Sequence, residues 1–170
     1  MMASRMKWLA IPALTLLGGC NLLDPRVAYR EAAQKLNVTL DRVEPKLDLA
    51  FPLDRSRLRL KLTLGVDNPS DLRLSARSLG GDIRLERNGR VFNIGRLSFE
   101  HGVDLPAHGR VPVVAEISIA YGDLKDALPA LQGVVIENQS GVWTLDGSMQ
   151  VDVLGIPFTA PLRTRKHVGH

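Results

Sequence analysis

The chain has 170 residues, 45% of them hydrophobic and 24% charged, the proportions of one globular domain and not of a disordered or collagen-like chain. Its formal net charge is +4, and about +2 without the leader described below, too little to argue for nucleic acid as a partner. A single cysteine excludes an intramolecular disulfide framework.

The chain begins with a positively charged stretch containing Arg5 and Lys7, followed by an apolar run of ten residues from Trp8 to Leu17. Such a run is too short for a hydrocarbon core that takes about 20 residues to cross. Residues 1–19 therefore read as a signal peptide. The run ends Leu17-Gly18-Gly19-Cys20, which resembles the lipobox of bacterial lipoproteins. That resemblance implies a diacylglycerol group on the thiol of Cys20 and cleavage just before it, so Cys20 is the expected lipid-attachment site. An unpaired thiol in an exported protein is otherwise a liability. In lipoproteins of this kind aspartate after the cysteine favours the inner membrane. Asn21 stands there instead, which implies the outer membrane, with the domain facing the periplasm. Two or more acyl chains hold a protein stably on a bilayer. The membrane, reached through this lipid, is the expected partner.

Residues 20–36 are expected to be the lipidated N-terminus and a tether. Asp24-Pro25 suits a helix start, and Tyr29, Ala32, Ala33 and Leu36 fall on one face, which predicts a loosely helical spacer. The folded domain is placed at 37–166. Val38, Leu40 and Val43 open a first strand, Glu44-Pro45 is expected to interrupt it, and a second extended piece covers Leu47 to Phe51. A loop over residues 51–56 leads into the most strongly patterned stretch, Arg57 to Pro69. There Leu58, Leu60, Leu62, Leu64 and Val66 alternate with Arg57, Arg59, Lys61, Thr63 and Gly65, a period of two that makes one face apolar and the other wet. Asn68-Pro69 ends it, because proline offers no amide to a ladder.

A short strand over residues 71–75 comes next, then a hairpin around Asn88-Gly89, a pair suited to a type I′ turn. Placing that pair at the tip sets Arg87 opposite Arg90, Leu85 opposite Phe92 and Ile83 opposite Ile94. Residues 106–109 read as a loop, and Val111, Val113, Ala115, Ile117 and Ile119 as an alternating strand with Pro112 near an edge. Asp123 is expected to cap a short helix on Leu124, Leu128 and Leu131, bent by Pro129 and ended by Gly133. Trp143, Leu145, Met149, Val151 and Val153 alternate in the next strand. Leu154-Gly155 turns the chain into a last one on Ile156, Phe158, Ala160 and Leu162, where Pro157 and Pro161 mark an edge. Arg163 to His167 reads as a solvated basic end, with residues 167–170 as a tail.

Strung together, the long strand ending in Asn68-Pro69, Gly80-Gly81-Asp-Ile-Arg-Leu85, Asn88-Gly89, Ile94-Gly95 and Leu105-Pro-Ala-His-Gly109 before Val111 to Ile117 resemble the type 2 late-embryogenesis-abundant (LEA2) domain. It is also called the water-stress and hypersensitive-response (WHy) domain, and the resemblance spans residues 38–165. The strand count alone suggests two packed antiparallel sheets. The resemblance implies the same: a mainly β, immunoglobulin/fibronectin-III-like antiparallel β-sandwich with one short helix.

Chemistry-bearing patterns are sparse. The sequence carries no Gly-x-Ser-x-Gly, P-loop or dinucleotide fingerprint. His101 and His108, with Glu100 and Asp104 nearby, read as solvated loop residues in preference to a metal site, and His167 and His170 as parts of the tail. Asp67 and Asp71 are expected to hydrogen-bond within the Asn-Pro turn. No catalytic residue, cofactor or metal is expected. The resemblance implies a non-enzymatic, membrane-anchored envelope protein linked to desiccation and stress tolerance. The alternative is a lipid- or protein-binding module in outer-membrane maintenance or assembly. A large apolar cavity would favour the alternative, and a filled core the first reading.

Overall fold

A computed structural model of the chain describes residues 24–153 and 155–169. The leader, Cys20, Leu154 and His170 lie outside the described residues. In chain order the elements are α1 (Pro25–Gln34), β1 (Asn37–Asp48), β2 (Arg57–Asn68), β3 (Leu74–Arg87), β4 (Arg90–Phe99), β5 (Val103–Leu105), β6 (Gly109–Ala120), α2 (Leu128–Val135), β7 (Gly141–Val153) and β8 (Ile156–Val168), with short 3-10 turns at Leu53–Arg55 and Tyr121–Leu124. β1, β2 and β6 form a small antiparallel sheet in that order, and β4, β3, β7 and β8 a larger one, with β5 sharing the β4 edge of β3.

The alternation in β2 explains why it sits in the middle of the small sheet. Leu58, Leu60, Leu62, Leu64 and Val66 are each at most 1% exposed, while Arg57, Arg59 and Lys61 face water. Burying each of those five contributes about 1.5–3 kcal/mol, an upper bound because an unfolded chain already hides some apolar surface. From the other side β7 supplies Trp143, Leu145, Met149 and Val151, all buried in the same core. The fold is therefore the expected mainly β sandwich.

Several local expectations are corrected. β1 runs unbroken through Pro45, which pairs with Leu60, because an edge strand needs no amide on its outer side. Its irregularity falls at Asp41, a bulged residue between Leu40 and Arg42. The expected strand at 71–75 and the Gly80-Gly81 stretch merge into β3, with Arg77 bulged out of the ladder to β7. In the hairpin Arg87↔Arg90 and Leu85↔Phe92 hold, but Ile83 pairs with Gly95. A bulge at Ile94 lets both Ile94 and Leu97 reach the core.

Among the described residues there are two short α-helices, and both pack onto the sandwich, which was expected to carry one. Asp24 accepts a bond from the Arg26 amide at 3.0 Å and starts α1, whose Ala32 and Ala33 are buried in the core. The stretch expected as a spacer thus closes the base of the sandwich against β8. α2 begins at Leu128 with Ala127 at its N-cap, so Asp123 does not cap it. Pro129 sits in its first turn, where a missing amide costs nothing. Gly133 lies inside α2, not at its end, and leaves room for the Arg87 side chain, which donates to Pro129 O at 2.9 Å. At the C-terminus the expected basic tail is strand: His167 pairs with Val142 and Val168 with Gly141.

Asn88 and Gly89 occupy the hairpin tip with φ of 50° and 72°. Nothing lies within 4 Å of a Cβ built on Gly89, so only the backbone conformation resists substitution there. Gly89→Val should destabilise the domain by more than ~1 kcal/mol in a urea titration, since a β-branched residue resists positive φ.

Candidate functional site

At the base of the larger sheet, Ser75 of β3 lies between Asp104 of β5 and Asp152 of β7. The neighbours Leu74 and Ala76 point into the core, so the pleat turns Ser75 outward. The β3 bulge adds Arg77 to this surface, where its guanidinium meets the Asp152 carboxylate. Arg73 reaches Asp104 at 2.8 Å. Asp152 is only 12% exposed. Its Oδ1 accepts from the Gly155 amide at 2.8 Å, while Oδ2 is shielded from water, faces Arg77 and makes no aligned hydrogen bond.

Together with Tyr29 of α1, these groups line an open groove of about 480 Å³. A second hollow of about 300 Å³ adjoins it at Tyr29 and Val153. Its lining is mostly apolar, with Pro25, Ile156 and Phe158 alongside Asp24 and Arg26. One end of the domain therefore carries a charge-balanced groove continuing into an apolar one.

On the outer face of the small sheet, Arg110 spans all three strands. Its Nη1 donates to Asp67 at 2.7 Å, and its Nη2 to both Asp41 oxygens at 2.7 Å and to Thr39 Oγ1 at 2.8 Å. Gly65 lies beneath the guanidinium, in the space a Cβ would need. The bulge at Asp41 brings its carboxylate over to meet Arg110. The hydrogen bond from Arg110, aided by that from Thr39, holds the Asp41 carboxyl below the usual carboxylate range. A depressed folded pKa adds stability above the unfolded value of about 3.9 and loses it as pH falls through the folded one. The melting temperature of the wild type should therefore fall more steeply than that of Asp41→Asn on acidification below about pH 4. Parallel curves in thermal melts would remove Asp41 from the acid response.

Of the residues singled out in the sequence, Asp104 lines the groove and Asp67 meets Arg110, while the histidines lie elsewhere. The His101 ring packs on Phe99, centroids 5.3 Å apart, and His108 Nε2 meets Asp71 Oδ1 at 2.6 Å. Among the described residues no three His, Cys, Asp or Glu side chains converge on a metal site. Asp67 and Asp71 are taken up by Arg110 and His108, so the turn bonding expected of them falls to Asn68. Asn68 is 1% exposed and donates to Leu72 O, Pro106 O and Leu105 O at 2.8, 3.0 and 3.2 Å. Its Oδ1 accepts from the Ser70 amide and hydroxyl at 3.2 and 2.7 Å. An asparagine side chain bonding the backbone two residues on is ordinary turn chemistry, and Asn68 was the residue in this turn placed to do it. The groove residues Tyr29, Arg73, Arg77, Asp104 and Asp152 had no such signal as a group.

Among the described residues the two sheets pack their apolar faces into one buried core. A hollow between the sheets, lined by Val66, Leu79, Phe99, Val113 and Met149 among others, holds about 10 Å³, no more than one water. Among the described residues no helix is long and apolar enough to cross a membrane.

No family model matches the chain, and no curated protein matches it. Among solved structures it is similar to a solution structure from Arabidopsis thaliana, with a TM-score of 0.52, 16% identity, and coverage of 78% of this chain and 80% of that one. At that identity the likeness establishes the shared fold alone. A protein from Archaeoglobus fulgidus aligns over 77% of this chain and 97% of its own, with a TM-score of 0.44 and 8% identity. A candidate late embryogenesis abundant protein aligns over 79% and 71%, with a TM-score of 0.34 and 13% identity. Neither of these two overlaps well enough to say more.

Proposed function

We propose that this chain is a non-catalytic, lipid-anchored module of the LEA2 kind, held at the periplasmic face of an outer membrane and acting in tolerance of drying and osmotic stress. The observation that carries the reading is where the acidic side chains go. Asp41 and Asp67 pair with Arg110, Asp48 with Arg59 and Asp152 with Arg77, each held by a structural partner. A general acid or base instead needs a carboxyl or imidazole poised over a substrate position. The one buried core supports a module that acts by its surface. The sandwich shared with the Arabidopsis structure is consistent with the LEA2 resemblance of the sequence.

Deleting the gene should lower survival after drying and rewetting and raise envelope leakage after osmotic shock. Equal survival and leakage in both strains would overturn the stress role. The anchor is tested separately: Cys20→Ser should accumulate as unprocessed precursor, and wild-type processing with wild-type membrane fractionation would rule it out. A second reading, a module that binds a lipid or a partner, is favoured by one observation, the groove beneath Tyr29.

A further inference from the structure

We propose that the groove at the base of the larger sheet binds the headgroup of a zwitterionic phospholipid, with its phosphate on Arg73 and Arg77 and its ammonium at Asp104. The first argument is charge. The groove sets two guanidinium groups beside two carboxylates. A purely anionic ligand would sit against Asp104 and Asp152, and a purely cationic one against the two arginines. A ligand carrying both signs a few bonds apart meets the arginines and the exposed Asp104 at once.

The second argument is that Arg73, Arg77 and Asp104 are available. Arg73 and Asp104 are 73% and 67% exposed, and such a pair is held so weakly that a ligand can exchange into it. Arg77 stays against the shielded Asp152, yet a guanidinium has five donors and one carboxylate does not use them all. The third argument is the neighbouring hollow. Val153, Ile156 and Phe158 offer an apolar surface where the glycerol and first methylenes of a lipid would continue from the headgroup. Volumes of about 480 and 300 Å³ fall within the range of small-molecule sites.

Position supplies the fourth. Asp24, Pro25 and Arg26 line the apolar half, and Cys20 is four residues before Asp24. Four extended residues reach at most about 13–14 Å. An acylated Cys20 would therefore hold this end of the domain at the bilayer surface. In this respect the inference rests on the membrane-anchored reading above, and deepens it.

The test is a calorimetric titration of the full chain, purified in a mild nonionic detergent, with dihexanoyl-phosphatidylethanolamine. One saturable site is expected. Arg73→Gln and Asp104→Asn, both at exposed positions, should each weaken it about fivefold or more while melting like the wild type. Dihexanoyl-phosphatidylglycerol, which keeps the phosphate but lacks the ammonium, should bind about fivefold less tightly or worse, and phosphoethanolamine without acyl chains should also bind less well. Unchanged affinity in both variants, or equal affinity for the glycerol headgroup, overturns the proposal. So does the absence of binding. Binding is read in solution and stress survival in cells, so failure of either is distinguishable from failure of the other.

Discussion

Gly147→Val should abolish folding or cost about 3 kcal/mol or more, at or beyond the upper end of ordinary overpacking. Gly147 of β7 pairs with Gly81 of β3, and it lies on the parity of Leu145 and Met149, which point into the core. A Cβ there would overlap the Gly80 carbonyl oxygen and the Gly81 Cα, and would stand 2.8 Å from the Gly80 carbonyl carbon. These are backbone atoms, so no rotamer change relieves the clash. Neither strand can step aside, since β4 and β5 hold β3 from one side and β8 holds β7 from the other. Gly147→Ala should already show much of the loss in urea denaturation. A loss below ~1 kcal/mol for Gly147→Val would mean that the two strands separate freely at this point.

Asn68→Ala should cost about 2–5 kcal/mol, the penalty for more than one buried polar group losing its partner. The amide of Asn68 serves the carbonyls of Leu72 in the loop before β3, Leu105 at the end of β5 and Pro106 in the loop that follows it. Without it those loops lose their common tie. Asn68→Asp is the more telling variant. It keeps the shape but replaces a donor by an acceptor facing three carbonyl oxygens. It should be worse than alanine at neutral pH and recover partly in acid, where the protonated carboxyl again donates. Greater stability of Asn68→Asp than of Asn68→Ala at neutral pH would place the stabilisation in the Ser70 bonds instead, because the carboxylate still accepts them.

Much of the architecture was legible because one-sided burial writes a period of two into the chain. Leu58 to Val66, Val111 to Ile119 and Trp143 to Val153 are strands whose inner and outer faces follow directly from the alternation. What escaped depends on a strand's neighbours. Pro45 looks like a break until β1 is known to be an edge. Bulges at Asp41, Arg77 and Ile94 exist only relative to a partner strand, so a single strand's pattern does not announce them. α1 read as a spacer because its small buried residues, Ala32 and Ala33, give a weak apolar signal. The groove was hidden for the same reason as the bulges. Arg73, Ser75 and Arg77 look like one solvated edge until β5 and β7 set Asp104 and Asp152 beside them.

The amide of Leu40, beside the β1 bulge, donates to the buried Thr164 hydroxyl at 2.9 Å, across 124 positions of sequence. That bond joins the first strand of the sandwich to the last, and it has a consequence in time. β1 leaves the ribosome early and must wait for β8 before its outer side is covered. Until then Leu40, an inward residue of β1, has no finished core to enter. Long-range closures of this kind are slow and leave apolar edges exposed meanwhile. A chain whose final strand completes its first stays open until synthesis is nearly done.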